Sequence, residues 1–327
     1  MSSVSTTYLG IKLRNPLVVA SSSLSGNIEK LRKVEDSGAG AVVLKSLFEE
    51  QIDIETKQVE QYIDHTWHTE AYDYVRNMGM QLGPEEYLRL LEQASESLSI
   101  PVFASLNCVS EQWWLEYASK LESAGAVALE LNISYFPLGL NVTSEQVENR
   151  YCSIVRSVTE QLDIPVSVKI GPNFTALSSL AQRLCEQGAA GLVLFNRFYQ
   201  IDIDIEKLKI ATGSVYSSSS EISRPLRWIA VLSNMIDCDL GASTGVHDSA
   251  GMIKLLLAGA DIVEVCSVLY EKGLGYMGEM LAGLEEWMKE HDFESLDSFK
   301  GLLSRDQGET PELLERLQYI KALTGIE

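Results

Sequence analysis

The sequence contains no apolar run of about 20 residues, the length that a membrane-spanning helix needs, so no transmembrane segment and no membrane partner are expected. Residues Met1 to Thr7 are polar and combine neither a basic start nor an apolar stretch. That argues against a signal peptide and for the cytoplasm. Basic residues are scarce: 26 Lys and Arg against 46 Asp and Glu give a formal net charge of −20. Binding to a phosphate backbone needs a basic face, so no nucleic-acid partner is expected. An anionic ligand has to find a local basic pocket in acidic surroundings. Cysteine is sparse as well. The five residues, Cys108, Cys152, Cys185, Cys238 and Cys266, are odd in number and none forms a CxxC pair. This pattern fits neither an iron–sulfur or zinc site nor a disulfide framework, and a reducing compartment suits it best.

What the chain does have is a repeat. Four segments begin with Gly-Ala after a helical stretch: Ser37–Ser46, Ala124–Asn132, Gln187–Asn196 and Ala258–Ser267. The glycine suits the left-handed residue that closes a helix. The apolar run after it suits a strand buried on both faces. Between these lie Ile100–Asn107 and Ile164–Gly171, each opened by Ile-Pro, and Met235–Gly245 in the equivalent place without the proline. With Pro16–Ser21 in front, the count is eight strands. Amphipathic stretches at 84–98, 111–123, 144–162 and 175–187 alternate with them, and Thr143 with Gln146 resembles a capping box. Right-handed parallel crossovers follow. Eight such units close most economically into a single (β/α)₈ TIM barrel over residues 1–327; a doubly wound open sheet is the alternative, but no GxGxxG follows strand 1. Insertions follow strand 2 (about 47–83) and strand 6 (about 197–224). Both lie on the barrel's C-terminal face, where long loops serve as lids or binding elements.

On this reading the strand ends converge on one mouth. They deliver Ser21, Lys45, Ser46, Asn107, Asn132, Ser134, Lys169, Asn196, Ser243, Thr244, Gly245, Cys266 and Ser267. The set holds lysines, asparagines and hydroxyls and no carboxylate. It lacks the ligands of a metal site and the acid pair of a glycosidase, so no metal is expected. It suits a flat polar heterocycle carrying a phosphate. Loops after strands 7 and 8 are the usual barrel phosphate site; ordinary glycine turns are the plainer account. Lys45 and Lys169 end apolar runs, where an unpaired lysine is costly to bury. A positive charge there stabilises a reduced anionic flavin, whereas a lysine reaching solvent does nothing of the kind.

These residues carry a resemblance. Tyr8–Ser21, Leu44-Lys-Ser46, Glu130-Leu-Asn-Ile-Ser134, Val168-Lys-Ile170, Ser243-Thr-Gly-Val246 and Gly259-Ala-Asp-Ile262 resemble, in order, motifs of the dihydroorotate dehydrogenases and their dihydropyrimidine dehydrogenase relatives. The resemblance implies a soluble FMN oxidoreductase that passes hydride from dihydroorotate, or a related small cyclic amide, to flavin in pyrimidine metabolism. It implies FMN contacts from Ala20, Ser21, Lys45, Ser46, Asn107, Asn132, Lys169, Phe195, Ser243, Thr244, Gly245, Cys266 and Ser267. Substrate contacts are implied for Lys45, Asn77, Met78, Gly79, Asn132 and Asn196, and the charges of Arg76 and Arg197 point to an anionic substrate group. A homodimer or an electron-transfer subunit is the implied partner.

The departures are as specific as the matches. The family's Cys or Ser base position is Tyr135 here, and its following asparagine is Pro137. A tyrosine with an ordinary pKa near 10 is about 0.1% ionised at neutral pH, so Tyr135, Ser134 and Lys45 are the catalytic candidates. Ser217–Ser220 stands where the family has a glycine-rich turn, and serine would crowd any left-handed position there. A flavin- or phosphate-binding barrel without redox turnover is the alternative function. His65 and His68 are read as lid surface, and Trp113 and Trp114 as helix packing.

Overall fold

The computed structural model describes residues 3–52, 83–107, 111–135, 137–197 and 200–304, with residues 316, 319–321 and 323–325 near the end. His65, His68, Arg76, Asn77, Met78 and Gly79 lie outside the described residues, as does the side chain of Trp113.

Eight parallel strands form the barrel: β1 (Leu17–Val19), β2 (Ala41–Val43), β3 (Val102–Asn107), β4 (Ala128–Asn132), β5 (Val166–Ile170), β6 (Gly191–Leu194), β7 (Asp239–Ser243) and β8 (Ile262–Val265). Neighbours in sequence are neighbours in the sheet, and β8 pairs with β1 to close it. Helices follow the strands: α1 (Ile28–Asp36), α2 (Pro84–Ser97), α3 (Glu111–Ser123), α4 (Ser144–Thr159), α5 (Leu177–Glu186), α6 (Ser223–Leu232) and α7 (Ser249–Ala258), then α8 (Ser267–Lys272) and α9 (Tyr276–Glu290) after β8. The open-sheet alternative is thereby excluded. All four repeat glycines, Gly38, Gly125, Gly188 and Gly259, close their helices at φ between 94° and 112°. Thr143 and Gln146 make the reciprocal capping bonds that their spacing predicts, at 3.2 and 2.9 Å. Trp114 is buried under α3, as expected of a packing residue.

Strand parity sorts the core into two. Side chains such as Val42, Leu129, Val168 and Leu192 face the helices and form the large outer core. Val18, Ala41, Val43, Phe103, Ala128 and Ile262 face inward. The hairpin Thr6–Tyr8 with Ile11–Leu13 closes the barrel from below with Tyr8, Leu9 and Leu13. Gly191 makes room for this plug: a Cβ there would lie 2.6 Å from Leu9 Cδ2 and 3.1 Å from the Tyr8 hydroxyl. Above the apolar inner layer the same parity places Ser105, Glu130, Ser167, Lys169, Ser243 and Glu264, all buried. The barrel interior is therefore dry at its base and ionisable at its top.

Two expectations need correction. Cys185, at the end of α5, and Cys238, just before β7, are joined in a disulfide with Cα atoms 5.8 Å apart. Spacing in sequence hid this pair, because the barrel brings residues 53 apart side by side. The insertion after strand 6 is not all loop: Ile201–Asp204 and Lys209–Thr212 form an antiparallel hairpin. Its residues alternate strictly, Ile-Asp-Ile-Asp, which is a strand signature.

Candidate active site

The C-terminal rim gathers most of the expected residues around one slot. Ala20, Ser21, Lys169, Phe195, Asn196, Arg197, Ser243, Thr244, Gly245, Cys266 and Ser267 line a cavity of about 200 Å³. Phe195, Asn196, Arg197 and Thr244 also line an adjoining cavity of about 390 Å³ that reaches Asn173, Glu221 and Arg224. Together they reach the size of a small-ligand site.

One wall is built of amides and hydroxyls. Asn132, ending β4, stands beside Lys169 of β5 in register. Asn196 Nδ2 donates to Asn132 Oδ1 at 2.6 Å and to Ser134 Oγ at 3.2 Å, and Ser134 Oγ donates to Asn132 Oδ1 at 3.3 Å. On the other side, Ser21, Ser46 and Ser105 form a hydroxyl chain with steps of 3.0 and 2.8 Å. Asn107 ends β3 half-buried. Lys45 follows β2, half-buried, and forms no ion pair with any described residue.

The loop after β7 turns sharply. Thr244 and Gly245 have φ of 81° and 82°. Thr244 Oγ1 donates to the Phe195 carbonyl at 3.0 Å, which ties this turn to β6. The serines at 217–220 avoid the left-handed region altogether, so the crowding expected of them does not arise. Ser217 is instead built into the site. Its N–H donates to Ser267 Oγ at 3.0 Å, its Oγ lies 3.1 Å from His247 Nε2, and His247 Nδ1 lies 3.4 Å from Glu271.

Three site expectations change. The mouth does contain a carboxylate: Glu264 lines the slot and bonds to Lys169 Nζ, with Glu130 3.7 Å from the same nitrogen. The signal was present in sequence, since each glutamate interrupts an apolar strand from an inward-facing position. Burial works against the Lys169 ammonium, but the two carboxylates outweigh it and hold its pKa above the ordinary value. Burial, and then Glu264, push the Glu130 carboxyl well above the usual carboxylate range. Burial also raises the Cys266 thiol, against a hydrogen bond with Ser22 and the nearby Lys169.

Arg197 does reach both cavities, but its guanidinium is engaged. It donates to Glu221 at 2.9 Å and to the Ser214 and Val215 carbonyls at 2.8 and 3.2 Å. It holds the strand 6 insertion in place, so it is not free for an anion as its charge alone implied. Tyr135 turns away from the slot. Its ring lies under the Arg150 guanidinium, 4.4 Å away, and lines a separate cavity with Tyr151, Phe174 and Ile201. Cation–π attraction to α4 accounts for that direction.

The sequence profile described as dihydroorotate dehydrogenase matches residues 3–288. The chain is 27% identical over 311 residues to "Dihydroorotate dehydrogenase B (NAD(+)), catalytic subunit" of Thermoplasma volcanium, covering 92% of this chain and 99% of the relative. It is 30% identical over 311 residues to "Putative dihydroorotate dehydrogenase A (fumarate)" of Aeropyrum pernix, covering 92% and 98%. The crystal structure of the Eimeria tenella dihydroorotate dehydrogenase in complex with ferulenol has the same fold, with a TM-score of 0.70 over 93% of this chain and 89% of that one, at 17% identity. A barrel closed in the same way, with relatives matching almost end to end and a profile spanning nearly the whole length, leads to one conclusion: the chain belongs to the dihydroorotate dehydrogenase family.

Proposed function

We propose that the chain is an FMN-dependent dehydrogenase that oxidises dihydroorotate, or a related small cyclic amide, by hydride transfer to flavin. Family membership makes it an oxidoreductase of the class acting on CH–CH groups. The finer reading is supported by one observation: Asn196, the Lys169 ammonium and the positive-φ turn at Thr244-Gly245 line a single slot, and Asn196 is hydrogen-bonded to Asn132 and Ser134 behind it. The residues fit FMN. Small side chains (Ala20, Ser21, Ser243, Gly245) leave a flat space, and the backbone N–H groups of the β7 turn with Ser217 and Ser267 suit a phosphate. When bound, FMN supplies the hydride acceptor.

The protein's own residues do the rest. Asn132 and Asn196 offer amide donors and acceptors to a cyclic amide edge. Ser134 is the hydroxyl that shares their cluster, and in this reading it takes the proton from the substrate carbon while its own proton passes to solvent at the slot's mouth. Tyr135, under Arg150, shapes the neighbouring cavity. Positioned proton acceptors contribute about 10² to 10⁴ in rate. Ser134→Ala is therefore expected to slow anaerobic flavin bleaching by dihydroorotate by about that factor, and Tyr135→Phe to leave it within a few-fold. The opposite pattern, read by stopped flow at 450 nm, assigns the proton to Tyr135.

The turned-away Tyr135 and the engaged Arg197 favour a second reading, a flavin-binding barrel without redox turnover. Reconstitution with FMN followed by anaerobic addition of dihydroorotate separates the two: bleaching supports the dehydrogenase, and bound flavin that stays yellow supports the binding barrel. Protein that takes up no FMN removes both.

A homodimer belongs to the same reading. Ile201, Ile203 and Ile210 share one face of the insertion hairpin and are each more than 60% exposed, while Asp202, Asp204 and Lys209 take the other face. An apolar face of this kind calls for cover, and a two-fold partner brings an identical patch to it. The double variant Ile203→Glu/Ile210→Glu is expected to sediment as a monomer. A wild-type protein that is already monomeric at micromolar concentration assigns the hairpin to an electron-transfer subunit instead.

A further inference from the structure

The slot's floor sets two carboxyls against one ammonium. Among the described residues Lys169 is the only ammonium that Glu130 and Glu264 face, and all three are buried: the side chains are 7%, 2% and 1% exposed. Glu264 bonds to Lys169 Nζ, and Glu130 Oε1 sits 3.7 Å from it. Glu130 Oε1 and Glu264 Oε1 have no hydrogen-bond partner among the described residues. The other described groups turned toward them are the Tyr8 hydroxyl from the hairpin plug, the Tyr87 hydroxyl of α2, Ser167 on β5, and the Cys266 thiol after β8. None of these is a cation. Two ionised carboxylates and one ammonium would leave a net negative charge out of water, which is costly. Two carboxyls this close relieve that cost by keeping one proton between them.

We propose that Glu130 and Glu264 share a single proton above Tyr8, so that the floor under the bound flavin is neutral while the proton is held and carries one negative charge once it leaves. The pair acts as a positioning and charge-setting device working through Lys169. With the proton in place, Lys169 is balanced by one carboxylate and the flavin meets no net charge from below. Without it, a buried negative charge opposes any gain of negative charge on the ring. The raised pKa of the Glu130 carboxyl agrees with a proton retained at neutral pH. The same carboxylates raise the Lys169 ammonium, so the switching proton belongs to the carboxyls. Tyr8 is pushed upward by burial and by both glutamates, which keeps its hydroxyl neutral throughout.

This inference rests on FMN binding in the slot. Sulfite tests it without turnover, because addition of sulfite to flavin places negative charge on the ring and bleaches it. Glu264→Gln and Glu130→Gln each leave one carboxylate facing Lys169 and no shared proton to lose. Sulfite affinity is measured by 450 nm bleaching from pH 6 to 10, for wild type and each variant. The wild-type affinity is expected to match the variants within about two-fold at the acid end and to fall at least ten-fold below them at the alkaline end. The double variant Glu130→Gln/Glu264→Gln, which leaves Lys169 unopposed, should bind sulfite more tightly at every pH. A wild-type-to-variant ratio that stays constant across the range overturns the proposal. Should the variants not fold, wild-type sulfite affinity is compared with that of free FMN over the same range: a ratio that falls at least ten-fold from the acid to the alkaline end supports a shared proton, and a constant ratio overturns it. Protein that binds no FMN overturns the flavin reading and this inference together, whereas bound flavin with a pH-independent ratio overturns this inference alone.

Discussion

Lys169→Met is expected to be the most damaging single substitution in the barrel. Removing one member of a buried ionic group leaves the others uncompensated, at a cost of about 3–5 kcal/mol. Here the stranded groups are Glu130 and Glu264, both fully enclosed. Urea unfolding should report a loss of that size near neutral pH. The loss should shrink at acid pH, and the sign follows from the raised Glu130 carboxyl. A carboxyl whose pKa is higher folded than unfolded contributes stability fully below its unfolded value and loses it as pH rises through the folded value. Deleting Lys169 raises the Glu130 carboxyl further, so the variant's stability should fall more steeply than wild type as pH rises above the ordinary carboxylate range. Adding Glu264→Gln should recover a large part of the loss, because contacting residues are not additive. A Lys169→Met protein as stable as wild type at pH 8 would show that the cluster is solvated, against its geometry.

Gly245→Val is expected to come second, through a different cause. Gly245 has a φ of 82°, and a Cβ there would lie 2.2 Å from the Ile222 nitrogen and 2.7 Å from the Glu221 carbonyl carbon. These are backbone atoms and do not swing aside. The left-handed conformation costs a side-chain-bearing residue about 1–2 kcal/mol, and overpacking adds about 1–3 kcal/mol. The turn must then move away from the strand 6 insertion, carrying its N–H groups out of line with Ser217 and Ser267. FMN affinity, followed by flavin fluorescence, should fall by more than ten-fold. Gly273→Ala is the control. Its φ is 84° but nothing lies within 4 Å of the added carbon, so it should show only the conformational part of the stability loss and keep its flavin.

The barrel was legible in sequence because each unit announced itself twice. A glycine closed each of four helices, and an apolar run followed with the parity of a strand buried on both sides. The capping box at Thr143 was legible because it is local, a matter of three residues. What stayed hidden depends on distance in the chain. Glu130 and Glu264 are ordinary acids until the barrel points both at Lys169. Arg197 reads as a free cation until Glu221 and two carbonyls, 17 to 24 residues on, surround it. Tyr135 occupies the right sequence position for a base, yet Arg150 on the next helix draws its ring aside. Cys185 and Cys238 meet only because β6, the strand that follows α5, is paired with β7. The insertion hairpin is a different kind of miss: its alternation was local and visible, but its length and polarity resembled a loop.

The plug beneath the barrel has a consequence for how the chain is made. Leu9 N–H is held by Asp239 at 2.6 Å across 230 residues, and Thr6 donates to the Asp261 carbonyl across 255. The plug segment leaves the ribosome well ahead of these partners and therefore has no seat until β7 and β8 have been translated. Nascent chains stopped short of Asp239 must leave Tyr8 and Leu9 without their floor. The underside of the barrel is in this sense a lock whose key is cut long before it can be turned.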